Sequence, residues 1–230
     1  MKLSIIMPAY NEERTIEEIV RKVMGMDVGL PKELIVVDDS SSDGTPLLLK
    51  RLAQTYPDIK VIFHKENLGK GAAIRAALQQ VTGDVVIIQD ADLEYDPRDY
   101  PRLLAPILEG QADVVFGNRF HGGPHRVLYF WHAVGNWLVT TLSNMLTNLN
   151  LSDMEVGYKV FRADVLKRIN LTSNRFGFEP EVTVKVAKQK CRIYEVPISY
   201  FGRTYEEGKK ITWRDGIAAI YYILKYRFFG

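Results

Sequence analysis

The stretch 85–96, VVIIQDADLEYD, constrains this chain more than any other: an apolar run that stops abruptly in acids. Val85, Val86, Ile87 and Ile88 read as a strand buried on both faces, as in a parallel sheet. Asp90, Asp92 and Glu94 then fall at alternate positions beyond its C-terminal end. Alternate residues of an extended chain point to the same side, so these carboxylates can converge. Uncompensated carboxylates repel one another. A hard divalent cation such as Mg²⁺ or Mn²⁺ relieves the conflict and keeps coordination positions for phosphates. A solvated acidic turn is the alternative, and the rest of the chain decides between them.

Residues 3–7 read as a first strand stopped by Pro8, and 15–26 as a helix with Ile16, Ile19, Val20 and Val23 at helical spacing. Residues 33–37 form a second apolar run, ending in Asp38 and Asp39. Asp43 is placed to cap the next helix, and Pro46 suits its first turn. A short strand at 60–63, a Gly-containing loop at 65–71 and an Ala-rich helix at 72–80 lead into VVII; a helix at 100–108 and a strand at 112–116 follow it. Four β–α alternations imply a parallel, right-handed α/β sheet. Such sheets bind ligands beyond the C-terminal ends of their strands, where Asp38, Asp39, Asp90 and Asp92 all lie. That coincidence favours a site over a turn.

At 230 residues and 47% hydrophobic, the chain can bury a sizeable core. Its net charge of +2 hides an asymmetry. Residues 1–118 carry 13 Lys and Arg against 19 Asp and Glu, a net −6; residues 119–230 carry 17 against 9, a net +8. An acidic half followed by a basic half suggests a metal-binding part joined to a part that faces anions. Cys191 is the single cysteine, which excludes an intrachain disulfide and makes a reducing compartment the default. The apolar run at the start is too short for a signal peptide. Among the anions, nucleic acid is disfavoured, because no DNA- or RNA-binding motif accompanies the basic half.

Residues 127–149 are apolar, interrupted only by uncharged polar residues and Gly135; His132, Asn136, Thr140, Asn144 and Asn148 recur every four residues and make one polar stripe. A membrane span needs about 20 predominantly apolar residues, and this segment is interrupted too often. It is either a buried core helix or an interfacial helix lying in a bilayer surface. Strands at 157–161 and 192–198 and helices at 163–169 and 179–189 follow. A terminal helix, 213–229, places Trp213, Ile217, Ile220, Tyr221, Leu224 and Phe228 on one face, with Lys225 and Arg227 among aromatics. It either packs onto the domain or meets a membrane surface.

The motifs IIMPAYNEE at 5–13, VVDDSSSDGT at 36–45, NLGKGAA at 67–73, QDADLEYDP at 89–97 and GNRF at 117–120 occur in that order. SDMEVGYKVFR at 152–162, GFEPE at 177–181 and RTYEEGKK at 203–210 continue the series. Together, over about residues 3–227, they resemble family 2 of the inverting glycosyltransferases, and within it the polyprenyl-phosphate branch of dolichol-phosphate mannose or glucose synthase type. The resemblance implies a GT-A fold, a Rossmann-like, mostly parallel sheet flanked by helices, here with C-terminal amphipathic helices. The chain is then a single domain, 1–230, with a nucleotide-sugar and metal half (1–118) and an acceptor and membrane-facing half (119–230).

The resemblance also implies roles, residue by residue. Pro8, Tyr10 and Glu12 match the loop holding base and ribose. Asp38 or Asp39 would accept hydrogen bonds from the nucleoside. Lys70 is either a nucleotide contact or a solvated turn residue; its loop lacks the Walker A spacing. Asp90, Ala91 and Asp92 match the family's D-x-D, with Asp90 and Asp92 as ligands of Mg²⁺ or Mn²⁺ and Glu94 as a third, at a position where relatives often carry Gln. Arg119 and Arg126 would hold the acceptor phosphate. Arg203 and Lys209 match a loop closing over the donor diphosphate, with Gly208 as hinge. Asp153 and Glu179 match acidic positions near the transferred sugar; Glu179 can equally be a helix N-terminal charge.

The implied reaction moves a hexose from a nucleotide-sugar, of the GDP-mannose or UDP-glucose type, to a polyprenyl phosphate. A phosphate monoester is largely ionised near neutrality, so no strong base is needed. Metal neutralisation, alignment and cations carry the chemistry, with Asp92, Arg119 and Asp153 at its centre. The expected location is cytoplasmic, peripheral to the cytoplasmic face of a membrane, held by the amphipathic segments or a membrane-anchoring protein partner. Transfer to a soluble or glycan acceptor, and a non-catalytic sugar-nucleotide-binding, membrane-associated protein, are the alternative readings.

Overall fold

The computed structural model describes residues 1–127, 129–204, 206–207 and 213–229, with side chains from residue 215 in the last segment. Strands and helices alternate first as β1 (Leu3–Ala9), α1 (Ile16–Gly25), β2 (Lys32–Asp38), α2 (Thr45–Thr55), β3 (Ile59–Phe63), α3 (Lys70–Leu78) and β4 (Val85–Ile88). A 3₁₀ turn at Pro97–Asp99 leads to α4 (Tyr100–Leu108), β5 (Val114–Asn118), α5 (Phe130–Thr147), β6 (Lys159–Arg162), α6 (Ala163–Arg168), α7 (Phe178–Lys188), β7 (Ile193–Pro197) and α8 (Trp213–Phe229). The strands form one sheet in the order β3-β2-β1-β4-β6-β5-β7. The central runs are buried on both faces, as helices on both sides require.

Two details differ from the sequence reading. Pro8 does not stop β1: it lies inside the strand, in register with Val37. Ile6 and Pro8 point their backbone groups to the β4 side, where the Ile6 carbonyl accepts from the Gln89 amide. The β4 pairing ends at Ile88, so the missing N–H of Pro8 falls where no ladder bond is required. Second, the sheet is not wholly parallel. β6 runs antiparallel between β4 and β5. The C-terminal ends of β1, β2, β4, β5 and β7 therefore share one edge with the N-terminal end of β6. The segment 152–158, just before β6, enters that edge from the opposite chain direction.

At the far edge Glu33, 2% exposed, joins three strand beginnings. It accepts from Ser4 Oγ at 2.6 Å and the Thr82 amide at 2.8 Å, and pairs with Lys60 at 2.9 Å and Lys2 at 3.2 Å. Burial opposes its ionisation, but these donors outweigh burial and hold the carboxyl well below the usual range. Its contribution is present above the unfolded carboxylate pKa and lost as pH falls toward the folded one. Glu33→Ala is expected to cost about 3 kcal/mol, read by urea denaturation at neutral pH, with a smaller difference in strong acid.

The long helix α5 is turned opposite to a core helix. Its polar stripe faces the protein from Asn136 to Asn144. Thr140 Oγ1 accepts from the Met154 amide at 3.2 Å, and Asn144 exchanges bonds with the backbone of Leu151 at 2.7 and 3.0 Å. Its apolar residues Phe130, Trp131, Trp137, Leu138 and Met145 are exposed, Trp131 by 77%. In α8, Ala219, Ile223 and Tyr226 are the buried positions, whereas Ile217, Ile220, Tyr221, Leu224 and Phe228 are exposed. The described part of the apolar stripe picked out in the sequence thus faces outward. Among the described residues, no helix is long and apolar enough to cross a membrane.

Candidate active site

The two acids after β2 have separate tasks. Asp39 accepts from the amides of Leu68 at 3.0 Å and Gly69 at 2.6 Å and contacts His64 Nδ1 at 2.7 Å. It is occupied in pinning the loop before α3, where Gly69 has φ +96, a conformation other residues rarely adopt. Asp38 accepts from the Ser41 amide through Oδ2 at 3.2 Å, while its buried Oδ1 has no partner. Of the pair, Asp38 is the one with an acceptor to offer a ligand. Pro8, Tyr10 and Glu12 lie at the same edge, with Tyr10 exposed and the Glu12 carboxylate accepting from Thr15 Oγ1 at 2.9 Å.

Past β4, the acids do not gather on one point. Asp90 pairs with Lys70 at 2.7 Å, and the same ammonium meets Glu179 at 2.8 Å. Lys70 is thus no solvated turn residue, and Glu179 is more than a helix-end charge. Asp92 pairs with Arg203 Nη2 at 2.6 Å. Glu94 is taken on both oxygens, by Arg203 Nε at 2.9 Å and by Tyr200 OH at 3.1 Å. Glu94 thereby tethers the 200–203 segment. Ala91 is 3% exposed and packs in the main core, so it spaces the two aspartates without presenting its side chain to a ligand. Among the described residues, no three His, Cys, Asp or Glu are grouped as a metal cage.

The electrostatics still mark the spot. Burial, then Glu94 and Asp90, push the Asp92 carboxyl up to about 8, and Arg203 only partly opposes them. Negative charge is in excess around an all-oxygen donor set. That excess fits Mg²⁺ or Mn²⁺ on Asp90 and Asp92 once Arg203 turns to another anion. Gly157 keeps Asp90 in place, because a Cβ there would lie 2.2 Å from Asp90 Oδ2 and 2.8 Å from the Tyr95 ring. Gly157→Ala is expected to displace Asp90, cost about 1–3 kcal/mol in stability and weaken metal-dependent nucleotide binding, as calorimetry with and without Mn²⁺ measures.

Arg119 follows β5 and is held through Nε, Nη2 and the face of its guanidinium. It makes a two-pronged pair with Asp153, Nε to Oδ2 at 2.6 Å and Nη2 to Oδ1 at 2.7 Å. Nη2 also donates to Asn136 of α5 at 3.3 Å, and the guanidinium lies over the rings of Tyr200 and Phe120. Nη1 donates to no described residue, which leaves two N–H groups for an anion. Arg126 lies apart, pairing with Glu207 at 2.7 Å in an exposed bridge. Lys209 and Gly208 lie outside the described residues.

Several site residues went unread in the sequence. Half-buried Glu155 and buried Lys159 sit near Glu179; desolvation, then Glu179, push the Glu155 carboxyl up to about 8, and burial lowers the Lys159 ammonium to about 8. Gln89 accepts from both Tyr100 and Tyr158 at 2.7 Å, and Tyr95 OH accepts from the Gly157 amide at 2.9 Å. The alternation of Asp153 with Glu155 was a usable signal, the same i, i+2 pattern as Asp90 and Asp92. For the tyrosines there was none.

With this geometry, the sequence matches the model of glycosyl transferase family 2 over residues 4–169, and the chain belongs to that family. It is similar to a dolichol-phosphate mannosyltransferase of Pyrococcus furiosus, 29% identical across 91% of this chain and 59% of that protein. It is also similar to an undecaprenyl-phosphate mannosyltransferase of Micrococcus luteus, 31% identical across 91% of this chain and 87% of that one. The chain thus spans about three fifths of the first of these relatives. Among solved structures, a glucosyl-3-phosphoglycerate synthase of Mycobacterium tuberculosis, crystallised with Mn²⁺ and UDP, superposes with a TM-score of 0.75 at 21% identity, covering 98% of this chain and 79% of that one. This places the sheet in the GT-A fold.

Proposed function

We propose that the chain transfers a hexose from a nucleotide-sugar to a polyprenyl phosphate at the surface of a membrane, on its cytoplasmic face. One observation carries the acceptor. Arg119, whose Nη1 is open, donates through Nη2 to Asn136 on the inner side of α5, and the outer side of that helix exposes Trp131, Trp137 and Leu138. A cation suited to a phosphate is thereby tied to a helix suited to lipid. The exposed part of α8, with Lys225 and Arg227, extends that face with charges suited to anionic headgroups. Transfer to a soluble acceptor leaves this exposed face without a purpose.

Asp38 would accept from the nucleoside, and Asp90 and Asp92 would hold Mg²⁺ or Mn²⁺, as the metal and UDP complexes of the Mycobacterium tuberculosis structure support. When bound, the metal would neutralise the departing nucleoside diphosphate. Arg203 would move from Asp92 to that diphosphate, and Lys209, six positions on in the sequence, would add a second cation. Lys70 fixes Asp90 and Glu179 relative to each other. Arg119, oriented by Asp153, would align the acceptor phosphate, already an anion, for attack on the anomeric carbon. Arg126, in its exposed bridge, would be a secondary contact. A membrane-anchoring protein partner would act through the same α5–α8 face.

Incubation with Mn²⁺, a polyprenyl phosphate and a panel of nucleotide-sugars, followed by mass spectrometry, is expected to yield a glycolipid. Transfer only to a water-soluble acceptor would replace this reading. Cosedimentation with anionic vesicles is expected to fall several-fold in a Trp131→Ser, Trp137→Ser variant; binding equal to that of the parent chain would remove α5 from the membrane face.

A further inference from the structure

The site leaves two buried acceptors unmet. Glu179 is 5% exposed; its Oε1 pairs with Lys70, and its Oε2 has no partner. Glu155 Oε1 is also buried without a partner. An unsatisfied buried carboxylate oxygen is unfavourable and needs a reason. Glu155 lies two residues along the chain from Asp153 and within electrostatic reach of Glu179, Lys159, Arg119 and Asp153. It therefore neighbours both the Asp90–Lys70–Glu179 set and the Arg119–Asp153 pair. On the functional reading above, on which this inference rests, the donor diphosphate occupies the first and the acceptor phosphate the second. The transferred sugar must span the gap.

We propose that Glu155, together with Glu179, determines donor specificity by taking the hydroxyl groups of a neutral hexose and disfavouring a uronate. A hydroxyl both donates and accepts, so it satisfies either an ionised or a protonated carboxyl. A uronate would bring another carboxylate among Asp90, Asp153, Glu155 and Glu179. The neighbouring cations are engaged: Lys70 by Asp90 and Glu179, Arg119 by Asp153 with its remaining N–H groups assigned to the acceptor phosphate, and the Lys159 ammonium by the carbonyls of Met154 and Val156. Repulsion against the wrong ligand, as much as attraction for the right one, sets the selectivity.

Calorimetry in Mn²⁺ tests this with three ligands in each of the uridine and guanosine series: the nucleoside diphosphate, its neutral hexose conjugate and the matching uronate conjugate. The parent chain is expected to bind one neutral conjugate roughly tenfold or more tighter than its uronate. Glu155→Gln is expected to retain nucleoside diphosphate affinity, weaken the neutral conjugate roughly tenfold and narrow the gap to the uronate. Glu179→Gln and the parent's own selectivity carry the test if Glu155→Gln does not fold. Equal binding of the two conjugates by the parent sinks the proposal, as does a Glu155→Gln protein that loses diphosphate and conjugate alike. Binding of diphosphates without sugar selectivity overturns only this inference; binding of no nucleotide in either series overturns the functional reading and this inference with it.

Discussion

Asp92→Asn is expected to lower sugar transfer by about 10²–10³-fold while making the folded protein more stable. Both effects have one origin. Asp92 is half-buried beside Glu94 and Asp90, and desolvation and those carboxylates push its carboxyl up to about 8 despite Arg203 at 2.6 Å. An unfolded aspartate ionises near pH 4, so between about pH 4 and 8 the folded state holds a proton that the unfolded state has released. For this group, stability falls as pH rises through that window and is level above it. Asn carries no such charge. The stability gain of the variant should therefore grow from about pH 4 to about pH 8, where it reaches a few kcal/mol, and then stay constant. Urea denaturation with a chelator present reads the gain. A variant less stable than its parent at every pH would show that the Arg203 pair outweighs the repulsion. The negative charge that destabilises Asp92 is the charge a divalent cation relieves, so the site keeps a carboxylate that stability alone would discard.

What the sequence revealed and what it hid divide along physical lines. The runs of β-branched residues in β1, β2 and β4 announce buried strands through composition alone, and acids beyond their ends announce a ligand edge. Strand direction has no such local signal. KVFR in β6 is four residues long and reads the same in either direction, yet its antiparallel placement is what brings Asp153 and Glu155 into the site. Partner choice is equally hidden. The residue types at Asp90, Lys70, Asp92 and Arg203 were legible, but their pairing depends on chain separations of up to 111 residues. The stripe on α5 was visible as a period, while its direction was not. A narrow polar stripe on an apolar helix ordinarily faces water. Here the backbone at 151–154 and the Arg119 guanidinium need hydrogen-bond partners, and Asn136, Thr140 and Asn144 supply them from the inner face. Asp39 shows the converse: its type fitted a nucleoside contact, and in this structure its carboxylate is engaged by the amides of Leu68 and Gly69 in the loop.

Arg119→Ala is expected to lose both stability and transfer, and a second substitution separates the two losses. Asp153 is 0% exposed and its two oxygens rest on the Arg119 guanidinium. Removing the arginine leaves a buried carboxylate unpaired, at a cost of about 3–5 kcal/mol and a melting temperature lower by about 6–20 °C. Adding Asp153→Asn removes the stranded charge and is expected to restore most of that stability. It restores no cation for the acceptor phosphate. The double variant should therefore melt near the parent temperature while transfer stays down by about 10²-fold or more. Arg119→Lys completes the series: it keeps the charge but not the planar fork, so it should hold an intermediate stability and lose the alignment that two prongs on Asp153 impose. Its loss should fall mainly on turnover, because the nucleotide end of the site is anchored separately, through Lys70 and Asp38. A double variant that recovers transfer together with stability would show Arg119 to be a support for Asp153 alone, and the acceptor phosphate would then need another cation.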